Sequence, residues 1–304
     1  MEQTSALFLS VGDIDVDVLI QVDRLPTRDG KVNGSLLRRT PGGMAGNVSV
    51  ALSRLGARVR ILGRIGDDSD GEFALRGLEA AGVDTGFVAH LGGATTFSCI
   101  GLLTPDGEKS LVKLMTPAYR PNAEDLSDRV SQGVSHIHLT SVGDPDLCRR
   151  VVEAARSVGA GTSLDIELAD CPSDASDFFD AICGFDLVFC NSESRQAVDA
   201  MLGGRLTEAV RSVVTTLGAS GAEVETEGLR FFSPGFAADV VDTTGAGDCF
   251  AAACLYGRVV QCYDWSEALR FANRAAALST TGLGAQSALP TAAQVLESLS
   301  HHQM

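Results

Sequence analysis

The stretch "VVDTTGAGDCFAAA", Val240 to Ala253, places two β-branched residues and Asp242 before five small ones, then a second carboxylate and, past Cys249 and Phe250, a run of alanines. Val240 and Val241 read as the end of a strand, and Phe250 to Leu255 read as helix. "TTGAGD" then falls at a helix N-terminus, where unpaired N–H groups and the macrodipole attract anions. The amides of Gly245, Ala246 and Gly247 form a cradle in which negative charge can develop, an oxyanion-hole arrangement. Asp248 beside it is placed to accept a proton from an attacking hydroxyl. A simple helix cap is the other reading of Asp248.

Outward from this stretch, short apolar runs alternate with helical patterns. Strands are expected at 6–12, 58–66, 135–141, 161–166 and 186–190. Helices are expected at 45–56, 69–82, 145–158, 174–184, 192–202, 248–259, 264–281 and 291–299. Strands alternating with helices of 10–15 residues predict βαβ units and a mostly parallel sheet covered on both faces, a three-layer α/β/α architecture. Residues 1–304 read as a single domain. Two segments break the rhythm, approximately 13–40 and 95–115. Each holds two strand-like runs without a crossover helix, and the second turns at Pro105-Asp106-Gly107. They predict a small antiparallel β lid over a site.

A second glycine cluster, "TPGGMAGNVSVAL" from Thr40 to Leu52, closes a strand and opens a helix. Gly42 and Gly43 let a ligand approach the backbone, and Asn47 both donates and accepts hydrogen bonds. A polyhydroxylated ligand suits such a site; a strand–helix turn with Asn as cap is the alternative. No P-loop and no G-x-G-x-x-G after the first strand are present.

Composition narrows the classes. With 24 basic against 39 acidic residues the net charge is −15, which disfavours nucleic acid and anionic membranes as partners. Eight cysteines (99, 148, 171, 183, 190, 249, 254, 262) show no C-x-x-C pair, and several sit in apolar runs. That usage fits free thiols in a reducing cytoplasm. The five histidines (90, 136, 138, 301, 302) show no metal-ligand spacing, and no signal peptide or membrane span is read. Cys249 reads as a packed, inert thiol because no histidine lies nearby in sequence to lower its pKa.

"GGMAGNVSVALSRLGARVRILGRIGDDSDG" and "DTTGAGDCFAAA" resemble the two signature regions of the ribokinase-like (phosphofructokinase-B) family of carbohydrate kinases, and the resemblance runs from "VGDIDVD" at 11–17 to "GLGAQSALP" at 282–290. It implies transfer of the ATP γ-phosphoryl group to a sugar hydroxyl, with Asp248 as base and Gly245, Ala246 and Gly247 as anion hole. It implies an acceptor held by Asp15 and Asp17, with Gly42, Gly43 and Asn47 opposite. Nucleotide contacts are implied at Asn191, in the "TLGASG" turn (Thr216, Gly218, Gly221) and at Asn273.

The resemblance also implies Mg²⁺, held indirectly through an N-x-x-E motif. Here the run is "NSES": Asn191 is in place, Ser194 replaces the acid and Glu193 lies one position early. A monovalent cation site, K⁺ in kind, is implied at Asp242, Thr244 and Gly284. Met44 stands where many ribose-type relatives carry lysine, which argues against ribokinase itself. Lid residues Phe97, Cys99 and Lys113, with nearby Arg120, are expected to shape selectivity. Lys113 and Arg120 read either as solvated charges or as partners for an anion on the acceptor. A sugar or sugar-acid kinase leads; a nucleoside kinase, with Phe97 as base platform, and a non-catalytic sugar binder are the alternatives. Unpaired lid edges suggest a homodimer.

Overall fold

The computed structural model describes residues 6–301; His302, the last of the five histidines, lies outside them. The strand Leu7–Val11 is buried throughout, and its side chains alternate between two cores. Phe8 faces one core while Leu7, Leu9 and Val11 face the other, as the period-two geometry of a strand requires. This strand lies inside an eight-stranded sheet ordered Leu229–Pro234, Gly221–Thr226, Ser212–Thr216, Leu187–Asn191, Gly161–Asp165, His136–Leu139, Leu7–Val11, Arg58–Leu62. From Ser212–Thr216 to Arg58–Leu62 every neighbour is parallel; the two terminal pairings are antiparallel.

One face is covered by the helices Met44–Leu55, Ala246–Leu255 and Trp265–Ser279, whose alanines (Ala251 to Ala253, Ala268, Ala272, Ala275) permit close packing. The other is covered by Pro145–Val158, Ala175–Ile182 and Ser192–Leu202. The three-layer α/β/α arrangement places the C-terminal ends of the parallel strands on one rim. Ligands of open α/β sheets bind at that rim.

The lid is a four-stranded sheet ordered Gly34–Gly42, Asp15–Val22, Ser98–Leu103, Lys109–Leu114. It is not wholly antiparallel. Asp15–Val22 and Ser98–Leu103 run parallel, and only the outer pairings are antiparallel. Both central strands leave the α/β body in the same direction, and the chain between them returns through that body. Register aligns Thr40, Asp17, Cys99 and Lys113 in one row across all four strands.

Two further expectations are corrected. The run 58–66 breaks at Gly63 into Arg58–Leu62 and Arg64–Gly66, which join different sheets, and a Cβ at Gly63 would lie 2.6 Å from Ile14 Cδ1, so the crossing point requires glycine. Val240 and Val241 do not end a strand. The sheet stops at Pro234, and both valines are exposed, with Val241 N–H donating to the Thr280 carbonyl at 2.8 Å.

Candidate active site

Three acids alternate from the turn after Leu7–Val11 into the start of Asp15–Val22. Asp13, buried just past Val11, accepts from the Met44 and Ala45 amides at 3.1 and 3.4 Å and from Thr140 Oγ1 at 3.3 Å. It supplies the anion that the helix Met44–Leu55 needs, since Gly43 has no capping side chain. Asp15 is 4% exposed, and its Oδ1 has no hydrogen-bond partner among the described residues. A buried acceptor without a donor is costly unless a ligand supplies one. Asp17 follows on the same strand, half-buried.

The glycines opposite are there for space. A Cβ at Gly42 would overlap Asp15 Oδ1 and Asp17 Oδ2, so only glycine lets the chain lie against both carboxylates. Gly43 adopts φ 85°, and a Cβ there would sit 2.5 Å from the Asp13 carbonyl.

Asn47, on the buried face of that helix, joins the two glycine motifs. Its Nδ2 donates to Asp248 Oδ2 at 2.8 Å, and its Oδ1 accepts from Gln286 Nε2 at 2.9 Å. Asp248 lies in the first turn of Ala246–Leu255, which begins at Gly245 in a left-handed conformation (φ 75°) with no side-chain cap. The Ala246 amide donates to the Thr243 carbonyl at 3.2 Å. A Cβ at Gly245 would lie 2.6 Å from Ala285 Cβ, so this loop packs directly on the "GAQS" segment.

Burial pushes the Asp248 carboxyl well above the usual carboxylate range. The Asn47 hydrogen bond opposes that shift, and the charges of Asp165, Asp13 and Asp17 reinforce it. Asp15 is raised likewise by burial and by Asp17, Asp13 and Asp248. Asp17 is raised to about 6 by burial, with Lys109 pulling the other way. Asp242 goes down instead: burial would raise it, but hydrogen bonds from Thr244 Oγ1 and the Thr244 and Gly284 amides prevail.

On the other side of the Gly245–Gly247 turn is a cavity of about 260 Å³ lined by Thr216, Gly218, Gly221, Phe250 and Asn273, and by Ala246 and Gly247 themselves. Asn273 is anchored through Nδ2 to the Ser233 and Pro234 carbonyls at 2.9 and 3.2 Å. Asn191 and Glu193 lie outside this lining and are exposed. Asn191 Oδ1 caps the helix Ser192–Leu202 by accepting from the Ser194 amide at 2.8 Å. Among the described residues no group of three or more His, Cys, Asp and Glu side chains is arranged to hold a metal.

The lid closes the crevice over Asp17. Lys109 Nζ donates to Thr244 Oγ1 at 2.8 Å, and Arg38 donates to the Leu283 carbonyl. Phe97 offers no open face, being 2% exposed and packed on Tyr119 with ring centroids 4.4 Å apart. Cys249 is buried, and desolvation pushes its thiol up to about 12, so it is no nucleophile. Asp13 and Gln286 are the site residues the sequence reading did not single out. Asp13 was legible as the first acid of "GDIDVD"; Gln286 carried no signal beyond its loop.

Comparison with known proteins agrees with this geometry. The pfkB family carbohydrate kinase model matches residues 5–292. The ATP-dependent ribose-1-phosphate kinase of Halopiger xanaduensis is 34% identical over 298 residues, covering 96% of this chain and 97% of that protein. Bacillus subtilis ribokinase is 28% identical, covering 95% and 98%. In three dimensions the nucleoside kinase of Methanocaldococcus jannaschii superposes with a TM-score of 0.85 at 22% identity, covering 97% and 98%. The chain belongs to the pfkB family of carbohydrate kinases. It is a phosphotransferase acting on a hydroxyl group, of the sugar- and nucleoside-kinase kind.

Proposed function

We propose that the protein transfers the γ-phosphoryl group of ATP to a hydroxyl of a small sugar, with Asp248 as the base. The observation that carries this reading is the 2.8 Å bond from Asn47 to Asp248, which joins the two glycine motifs at the start of an uncapped helix. The nucleotide lies in the cavity with Thr216, Gly218, Gly221 and Asn273, and its γ-phosphoryl group meets the amides of Gly245 and Gly247, with the Ala246 amide joining them by giving up its bond to the Thr243 carbonyl. The acceptor donates hydroxyls to Asp15 and Asp17 across from Gly42 and Gly43. As the new O–P bond forms and the bond to the ADP leaving oxygen breaks, Asp248 takes the hydroxyl proton. A carboxyl lifted by burial is a stronger base than a free one and sits nearer the working pH.

Bound Mg²⁺ supplies positive charge across the phosphates. Asn191 and Glu193 do not make a direct ligand set, so they fit contacts through the ion's retained water. The Asp242 carboxylate accepts three bonds from Thr244 and Gly284 and braces two loops, and the backbone carbonyls of these same segments would hold K⁺. A cytoplasmic location is supported by eight free thiols. No helix among the described residues is long and apolar enough to cross a membrane. A homodimer through the lid is supported by the exposed Leu36, Leu111 and Met115 on and beside its outer strands.

The test is ADP release with ATP over a panel of pentoses, hexoses, sugar acids, sugar phosphates and nucleosides, for wild type and Asp248→Asn. Turnover that survives the substitution overturns the assignment of the base. Absence of turnover with every acceptor favours a binding protein.

A further inference from the structure

Beside the three acids, a second set of polar side chains converges on the acceptor end of the crevice. Lys113 closes the row that begins with Thr40, Asp17 and Cys99 on the lid. Ser141 directly follows Thr140, whose hydroxyl bonds to Asp13. Between these two walls lie Tyr119, Arg120 and Asp170. Tyr119 OH donates to Asp170 Oδ2 at 2.6 Å, Ser141 Oγ donates to it at 3.2 Å, and Arg120 Nη2 reaches Asp170 Oδ1 at 3.3 Å. Lys113 Nζ stands off, 3.8 Å from Asp170 and 3.5 Å from Tyr119 OH.

Those last distances are the informative ones. A charge-assisted N–H···O bond closes to about 2.7–2.9 Å, so Lys113 is drawn to the cluster without being satisfied by it. Arg120 is held rigidly. Its guanidinium lies 4.5 Å over the Tyr119 ring, which packs on Phe97, and a Cβ at Gly143 would overlap it. Two cations therefore flank Asp170, and Lys113 also faces Asp13 and Asp15, at the acceptor end of a protein whose net charge is −15.

We infer that the acceptor carries an anionic group, phosphate or carboxylate, at the end remote from its reacting hydroxyl, and that Lys113 and Arg120 bind it. The inference rests on the kinase reading above and deepens it. Asp15 and Asp17 hold the hydroxyls in the middle of the substrate, and Asp248 faces the hydroxyl that reacts. The ammonium of Lys113 supplies the direct contact, and Asp170 with Tyr119 aims Arg120 beside it. A neutral sugar leaves Lys113 with only its long contacts to Asp170 and Tyr119. An anionic acceptor gains one or two charge-assisted bonds, worth roughly 10- to 100-fold each in selectivity.

The experiment measures kcat/KM for ribose 1-phosphate, 2-keto-3-deoxygluconate and ribose with the wild type, Lys113→Met, Arg120→Met and Lys113→Arg. The expected result is a wild-type preference for an anionic acceptor of at least about 30-fold over ribose. The phosphate and carboxylate arms identify which group is read. Lys113→Met and Arg120→Met should each lower the ratio of anionic to neutral kcat/KM by about 10- to 100-fold, and Lys113→Arg should restore most of it. Preference for ribose in the wild type overturns the inference while leaving the kinase reading intact. So does an equal loss on charged and neutral acceptors, which marks a merely structural role. Turnover of no acceptor at all removes both.

Discussion

Asn47 and Asp248 stand 201 residues apart in the chain and 2.8 Å apart in the fold, amide to carboxylate. Because Asn47 also accepts from Gln286, its amide cannot turn over without breaking two bonds at once. The proposed base is thereby oriented by a side chain from the segment proposed to bind the acceptor. Asp248→Asn should reduce kcat by at least about 10²-fold while nucleotide affinity, read by calorimetry, stays within a few-fold.

Loss of the orienting bond has a signed effect on pH dependence. The Asn47 amide favours the ionised form of Asp248, against the burial that opposes it. Asn47→Ala should therefore raise the carboxyl further and move the acidic limb of the kcat profile to higher pH, with kcat lowered about 10- to 100-fold at neutrality. An unmoved limb would show that Asn47 does not tune the base.

Gly42→Ala tests the close approach of backbone and carboxylates. The added Cβ overlaps Asp15 and Asp17, so both must swing away from the acceptor. The acceptor KM should rise at least about 10-fold with the ATP KM little changed, since losing one charged hydrogen bond costs about that much. Equal effects on both substrates would point to general damage to the fold.

The acid cluster should also weaken the protein as pH rises. A carboxyl whose folded pKa lies above its unfolded value stabilises the fold fully below the unfolded value and loses that contribution as pH climbs through the folded one. For Asp17 the window runs from near 4 to about 6. Asp17→Asn should raise stability by about 1–3 kcal/mol at pH 8. That corresponds to roughly 2–5 °C in Tm. The gain should shrink towards pH 4, as thermal melts across that range will show.

The lid contacts predict a leak. Lys109 bonds to Thr244 and Arg38 to Leu283, tying lid to body beside the proposed anion hole. Lys109→Ala should increase acceptor-independent ATP hydrolysis relative to acceptor phosphorylation, because an ill-closed site admits water. Comparing ADP release with and without acceptor reads this directly.

The parts of the site that were legible in sequence are those where local chemistry fixes the conformation. "GGMAGN" and "TTGAGD" each place small residues where a chain turns into a helix, and both do begin helices. The strand expected at 6–12 is likewise set by a few neighbouring apolar residues, and Leu7–Val11 is that strand. What escaped reading depends on distant partners. Asp13 owes its role to the helix that starts 31 residues later, and Gln286 to an asparagine 239 residues earlier. Val240 and Val241 look like strand by composition, yet the antiparallel edge has already ended at Pro234. The parallel pairing inside the lid was hidden because only the path through the body decides it.

That path has a mechanical consequence. Asp15 and Asp17 are the first residues of a strand whose far end is lid, locked on one side to Ser98–Leu103 and on the other to Gly34–Gly42. Recognition and enclosure therefore share one lever. A substrate seated as proposed against its root would pull on the whole plate, and discrimination between acceptors would then be exercised in the same stroke that shuts out the solvent.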